Sequence, residues 1–381
     1  MKIALCLDRW DPRRGGLEAY AAMLHAELLR RGHELAILTA CYLGQPMEGQ
    51  SRSRVEIVEE SGAAFYAAAD RRQRALEVEG YLTLAFRHAG PAHVFCPLGG
   101  LLRTSLDARR RSEVPGLRHL RASLRRLSKR TSLFLAREDA FFDEAANSGG
   151  RLCLANSPLV ADDIRRRYPR FAGTIEVVGL PVDLQRFSLP TRAERKAARE
   201  ALGLGDAVAI LFIGNDPRRK GLGAALAVLE RLRARRLDAR LVLAGHGSAR
   251  WTSAKRGILG LGFVEDIAGL YHACDVLLAP SLEDNLSFCG LEALATGLPV
   301  VTTRQNGVAA WVAGAKLARV VDDARCVSDL DAATLALLDR SALASELRSA
   351  RRALIQSCES RLHFDAVELR LSRAVASLVL A

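Results

Sequence analysis

The amino-acid sequence predicts an α/β protein built from two doubly wound parallel-sheet domains. Its 381 residues exceed what one hydrophobic core usually organises. Short apolar runs alternate with amphipathic segments of roughly 12 to 18 residues, as parallel strands joined by covering helices do. The strand-like Ile175 to Val178, followed by Gly179, Pro181 and Pro190, marks a change of unit. These observations place one domain at residues 1–175, a second at 176–360 and, at 361–381, a terminal helix able to pack back on the first.

The first unit opens with a strand over Ile3 to Leu7 and a turn at Gly15 and Gly16. Leu17, Tyr20, Leu24 and Leu28 then share one helical face, with Arg30 and Arg31 complementing the helix dipole and Gly32 suited to a left-handed cap. Further strands are predicted at Glu34–Thr39, Val55–Glu59, His93–Pro97 and Arg151–Asn156. After the polar helix Arg192–Ala201 the alternation resumes, with strands at Val208–Ile213, Arg240–Ala244, Gly260–Val264, Val276–Ala279, Pro299–Thr302 and Arg319–Val321. Two such domains leave a cleft, and ligands of doubly wound sheets bind beyond the carboxyl ends of the strands.

Composition removes several classes. With 49% hydrophobic and 26% charged residues and 12 prolines, the chain is neither disordered, collagen-like nor a disulfide-stapled mini-protein. No apolar run approaches the roughly 20 residues of a membrane-spanning helix. Met1 to Leu7 is shorter than a signal-peptide core and reads as a buried strand. Eight cysteines stand singly with no Cys-x-x-Cys, so reduced thiols in a cytosol are expected, with neither a zinc site nor a disulfide framework. From Arg103 to Arg130, ten Lys or Arg face Asp107 and Glu113, which is +8 of the chain's net +12. Leu117, Leu120, Leu124 and Leu127 recur at helical spacing, with Arg118, Arg121, Arg125, Arg126 and Lys129 on the other faces. An amphipathic cationic helix of this kind suits an anionic bilayer surface.

Chemistry concentrates in the second half. After the strand ending at Ile213 comes Gly214-Asn-Asp-Pro-Arg-Arg-Lys-Gly221, then a helix whose face is Leu222, Ala225, Leu226 and Leu229. A glycine-bearing turn at a helix N-terminus, with Arg219 and Lys220 beside it, makes an anion site in which free amides, dipole and cations act together. In Pro280 to Thr303, Glu283 and Asp284 lie in a loop, a helix is predicted from near Leu286, and Glu292 falls about two turns into it. That spacing suits hydroxyls at two ends of one ligand better than a metal, whose ligands converge within a few ångströms.

This segment resembles the Glu-x7-Glu motif of retaining family 4 glycosyltransferases of the GT-B fold, two Rossmann-like domains facing a central cleft. Asp284 stands at the first Glu and Glu292 at the second, a departure of one methylene, and the adjacent Glu283 is an alternative for the first role. The resemblance extends to Gly15-Gly16-Leu17-Glu18, Ala155-Asn156-Ser157, Gly179 to Phe187, Gly214 to Gly221 and Gly262-Phe263-Val264. Within the family the chain looks most similar to lipopolysaccharide core glucosyltransferases. The resemblance implies a UDP-hexose donor such as UDP-glucose and a lipid-linked or lipopolysaccharide core acceptor. GDP-mannose and UDP-N-acetylhexosamine are alternative donors. It further implies a retaining reaction without cofactor or obligatory metal, at the cytoplasmic face of a membrane. Arg219 and Lys220 would hold the donor diphosphate, Asp284 the transferred sugar and Glu292 the ribose. Gly15, Gly16 and Gly214 would admit close backbone approach, Phe263 would frame the base, and Glu283 and Asn285 would line the donor site.

Other readings fit less well. Asp329-Leu330-Asp331 superficially matches an Asp-x-Asp metal motif, but it precedes the helix predicted at Ala332–Leu338, where acids stabilise a first turn. His246, after a strand, could line a donor site, and a structural or surface role is expected for it and for the mid-helix His25. Gly15-Gly16 lacks the Gly-x-Gly-x-x-Gly of dinucleotide-dependent oxidoreductases. A non-catalytic basic protein binding membrane or nucleic acid explains the charge but not Asp284 and Glu292, and no nucleic-acid partner is expected.

Overall fold

The computed structural model describes residues 1–44, 52–60, 62–87, 89–112, 128–143, 150–312, 315–338 and 360–379. The chain divides into two compact units, one of Met1–Gly179 with His363–Ala381, the other of Leu180–Leu362.

The first unit carries β1 (Lys2–Cys6), β2 (Arg9–Trp10), β3 (Glu34–Thr39), β4 (Cys41–Tyr42), β5 (Ser53–Ile57), β6 (Tyr81–Ala85), β7 (Val94–Phe95), β8 (Leu152–Ala155) and β9 (Thr174–Val177). Its helices are α1 (Gly16–Arg30), α2 (Gly62–Val78), α3 (Leu102–Ser112), α4 (Lys129–Phe142) and α5 (Pro158–Arg167). Among the described residues the main sheet runs β5-β3-β1-β6-β7-β8-β9, parallel throughout. The central strands are mostly apolar, as strands covered on both faces are; Ile3, Ala4, Leu5, Leu35 and Ile37 are fully buried. Tyr20, Leu24 and Leu28 of α1 pack inward as their spacing predicts, and Gly32 ends that helix at φ +85°.

Strand β6 was not among the predicted strands. Thr83 breaks its apolar run, yet Thr83 is buried because its hydroxyl meets Glu77 and His93 at 3.0 Å each. The terminal helix Ser360–Val379 packs within this unit. His363 Nδ1 donates to the Val178 carbonyl at 2.9 Å and its Nε2 accepts from the Tyr20 hydroxyl at 3.0 Å. Arg31 and His33 grip Glu368 at 2.6 and 2.7 Å, and Arg370 pairs with Glu176 of the edge strand β9.

The second unit holds α6 (Arg192–Ala201), β10 (Val208–Ile213), α7 (Leu222–Ala234), β11 (Ala239–Ala244), β12 (Ile258–Gly260), α8 (Ala268–Ala273), β13 (Val276–Ala279), α9 (Phe288–Ala295), β14 (Val300–Thr303), α10 (Ala309–Val312), β15 (Ala318–Val321) and α11 (Val327–Leu338). Its parallel sheet is ordered β12-β11-β10-β13-β14-β15. The strand order therefore reverses between β10 and β13, the point at which open α/β sheets bind ligands. Arg195 and Arg199 of α6 clamp Asp275, which also accepts from the Ala209 amide at 2.8 Å, so the helix is tied to the start of β13.

In the second unit three predicted elements are displaced by two residues or more. The strand expected at Gly260–Val264 is Ile258–Gly260, because Gly262 at φ +73° turns the chain and leaves Phe263 in the following loop. Helix α9 starts at Phe288 rather than near Leu286, since Asp284 is already committed to the loop after β14: its amide donates to Gln305 and its carbonyl accepts from Gly307, both at 2.8 Å. Glu292 is thus little more than one turn into the helix, not two. Helix α11 begins at Val327, not Ala332, so Asp329 lies in its first turn. Asp331 is buried and takes a bidentate pair from Arg235 at 2.9 and 2.7 Å, a bond between two helices.

Candidate donor-binding site

The loop after β10 and the loop after β13 meet at the switch point. Gly221 caps α7 at φ +80°, and a Cβ there would fall 1.9 Å from the Pro280 carbonyl oxygen, a contact that only glycine permits. The Leu282 amide donates to the Arg219 carbonyl at 2.9 Å and fastens the loops two residues away. Gly214 serves the same closeness on the other side: its Cβ would lie 2.8 Å from Cγ of Lys220, so the lysine stem lies against bare backbone.

Four amides of this turn are not the free donors the sequence suggested. Lys220 N–H donates to Asp216 O at 2.9 Å, Gly221 to Arg218 O at 3.2 Å, Leu222 to Pro217 O at 2.8 Å and Arg219 to the Asp216 side chain at 3.2 Å. Those four donors are spent within the turn, which leaves a larger share of the attraction for an anion to the two side chains. Arg219 donates to the Glu283 carbonyl at 3.1 Å and lies 3.9 Å from Oδ1 of Asp284. Lys220 Nζ bonds Oδ2 of Asp284 directly. The Asp284 side chain is 8% exposed, Lys220 17% and Arg219 30%, so the cations rise from a buried carboxylate toward solvent.

Glu292 meets a different neighbour. Its carboxylate accepts from the Tyr271 hydroxyl of α8 at 2.5 Å, and burial holds its pKa above the usual carboxylate range while that hydrogen bond and Arg186 work the other way. Cys289, one turn before it, is a buried thiol pushed up to about 11, first by burial. Lys220 lowers its pKa, and Asp284 and Glu292 raise it, through their charges. On the other side, Gly245 packs against the Gly214 carbonyl, and Asn215 accepts from the His246 amide at 2.9 Å. His246 stacks on Phe263 with ring centroids 4.9 Å apart and planes 13° from parallel, and Phe263 is 53% exposed.

Most of the residues singled out in the sequence are thus gathered in the second unit: Gly214, Arg219, Lys220, Glu283, Asp284, Asn285 and Glu292 around the switch point, Phe263 beside it. Gly15 and Gly16 open α1 in the first unit, at the corresponding β1/β6 switch point, where the buried Glu18 lies within 3.6 Å of Arg14 and 3.7 Å of Arg87. Three contributors escaped the sequence reading: Tyr271, which holds Glu292; the loop at Gln305 to Gly307, which pins Asp284; and the pairing of His246 with Phe263. The Asn306-Gly307 turn after β14 was the available sign of the second, and none marked Tyr271. His25 is buried on Trp10, bonds Ser53 at 2.8 Å and is lowered to about 4 by burial, a structural histidine. The expected basic membrane helix, residues 117 to 127 above all, lies outside the described residues.

Two facing loops thus meet at the switch point, with a cation pair over buried carboxylates. Residues 14–186 match the model described as Glycosyltransferase Family 4, and residues 207–340 that described as Glycosyl transferases group 1. Together these cover most of the chain, which belongs to the family 4 glycosyltransferases and has their two parallel-sheet domains, the GT-B fold. A D-inositol 3-phosphate glycosyltransferase of Catenulispora acidiphila is 32% identical over 199 residues, 47% of this chain and 46% of the relative. The chain spans about half the length of the curated relatives it matches first. A GDP-mannose-dependent phosphatidylinositol monomannoside mannosyltransferase of Mycolicibacterium smegmatis is 28% identical over 88% of both chains. Among solved structures, WaaG, a glycosyltransferase involved in lipopolysaccharide biosynthesis, superposes with a TM-score of 0.77 over 96% of this chain and 99% of its own, at 19% identity.

Proposed function

We propose that the protein transfers a hexose from a nucleotide sugar to a hydroxyl of a lipid-linked or saccharide acceptor, with retention of configuration and without a required metal ion. The observation that carries this is the pair Arg219 and Lys220, set over Asp284 where the strand order reverses. Breaking a glycosyl phosphate bond builds negative charge on the leaving diphosphate and positive charge on the sugar ring. Fixed cations at the diphosphate lower that barrier directly, and they supply charge that a metal would otherwise bring. Glu292, oriented by Tyr271, accepts from the ribose hydroxyls, and the His246–Phe263 stack offers its exposed face to the base.

UDP-glucose is the first donor to test, on the motif resemblance. GDP-mannose is the second reading, favoured by the mannosyltransferase that matches across 88% of the chain. Isothermal titration of UDP, GDP and ADP into wild type and Glu292→Ala, with a chelator present, decides between them. The preferred diphosphate binds in chelator and weakens by about 1–3 kcal/mol in the variant, the worth of hydrogen bonds to a charged group. Binding of none of the three overturns the reading.

A further inference from the structure

A buried carboxylate in direct contact with the cation that should receive a phosphate has a consequence for how the site fills. The backbone of Asp284 is held in place, because its amide and carbonyl are both bonded into the loop after β14. Lys220 is not easily pushed aside, since its stem lies against Gly214 and only its terminal bonds remain free to turn. Asp284 directs Oδ2 at Lys220 and Oδ1 toward Arg219, so its negative charge faces both cations. An arriving diphosphate competes with that carboxylate for the same ammonium.

We propose that Asp284 is the exchangeable counter-ion of Lys220: the donor diphosphate takes Lys220 over, and the carboxylate so released accepts the hydroxyls of the transferred sugar. The inference rests on the nucleotide-sugar reading and deepens it. A carboxylate that has lost its lysine is a buried acceptor seeking donors, and the hydroxyls of a sugar supply them where a free diphosphate does not. Phosphate capture and sugar capture become one event. After transfer, the carboxylate reclaims Lys220 and helps the nucleoside diphosphate leave.

The test compares a sugar-free nucleoside diphosphate with the intact nucleotide sugar by titration into wild type, Asp284→Asn, Lys220→Gln and the double variant. Asp284→Asn keeps the shape and removes the competitor, so it binds the diphosphate about tenfold more tightly, within the range seen for contacting charged groups. The advantage that the intact nucleotide sugar holds over the diphosphate in wild type shrinks in the same variant, and Asp284→Glu restores it. In the Lys220→Gln background the gain from Asp284→Asn disappears. Unchanged or weaker diphosphate binding in Asp284→Asn overturns the exchange. A gain that persists without Lys220 also overturns it, since it reports only the loss of a negative charge nearby. Far-ultraviolet circular dichroism and a cooperative melt confirm that each variant is folded. A wild type that binds no nucleoside diphosphate defeats the underlying reading instead, whatever the variants do.

Discussion

At the residue scale, the site depends on where side chains are missing as much as on where they are charged. Gly221 and Gly223 stand two positions apart and predict opposite outcomes. Gly221→Ala drives a methyl into the Pro280 carbonyl at a positive φ, so it costs more than about 2 kcal/mol of stability and abolishes diphosphate binding. Gly223 is exposed in α7 with nothing within 4 Å of an added Cβ, and Gly223→Ala gains about 0.5 kcal/mol with binding intact. Urea denaturation of both variants checks the pair. The sequence pointed to the charged residues because Arg219-Lys220 and the Asp284 to Glu292 spacing are local patterns. It could not show that Lys220 bonds Asp284, a contact across 64 positions, or that Tyr271 orients Glu292. Nor could it show that four of the turn amides are bonded within the turn, because whether an N–H is free depends on the fold of the whole turn.

At the element scale, legibility followed burial and capping. Strand β10 and helix α6 fall at their predicted bounds: one is a fully apolar run, the other opens with a Thr191–Glu194 capping box. Strand β6 and the start of α9 were obscured, since Thr83 finds its partners 6 and 10 positions away and Asp284 joins a loop beyond the next helix. The terminal helix carries a pH dependence. His363 is held neutral between the Tyr20 hydroxyl and the Val178 carbonyl, and burial lowers its pKa to about 4. In the unfolded chain it titrates near 6.5, so between these values the unfolded state takes up a proton that the folded state refuses. Stability is therefore full above pH about 6.5 and falls toward pH 4, by up to about 3 kcal/mol from this residue. His25, also lowered to about 4, adds in the same direction. Denaturation midpoints across this window should slope less steeply in His363→Gln than in wild type, and equal slopes would refute the assignment.

At the scale of the molecule, charge is distributed more unevenly than the fold requires. Two thirds of the net +12 sits between Arg103 and Arg130, whereas the described residues include no helix long and apolar enough to cross a membrane. The expectation of peripheral attachment gives a direct measurement, flotation with vesicles. Binding should require anionic lipid and be released as salt rises from 0.15 to 1 M, where screening contracts from about 8 to about 3 Å. Equal binding to neutral vesicles would defeat it. The two parallel-sheet units were legible from chain length and from the alternation of short apolar runs with amphipathic segments, because most parallel strands buried on both faces leave an apolar run.

One feature of the chain's path bears on how the protein is made. The first unit is assembled from both ends of the sequence, its last helix separated from the rest by the whole of the second unit. During translation at about 5–20 residues per second, the sheet of residues 1–179 waits roughly ten to forty seconds before its closing helix emerges. Throughout that interval Glu176 on edge strand β9 lacks Arg370, and Tyr20 lacks His363. The second unit, contiguous from Leu180 to Leu362, leaves the ribosome complete before that helix does. The half that begins first is the half that finishes last, and a nascent chain stalled within residues 180–362 exposes an unfinished sheet to whatever chaperone or neighbour can pair with it.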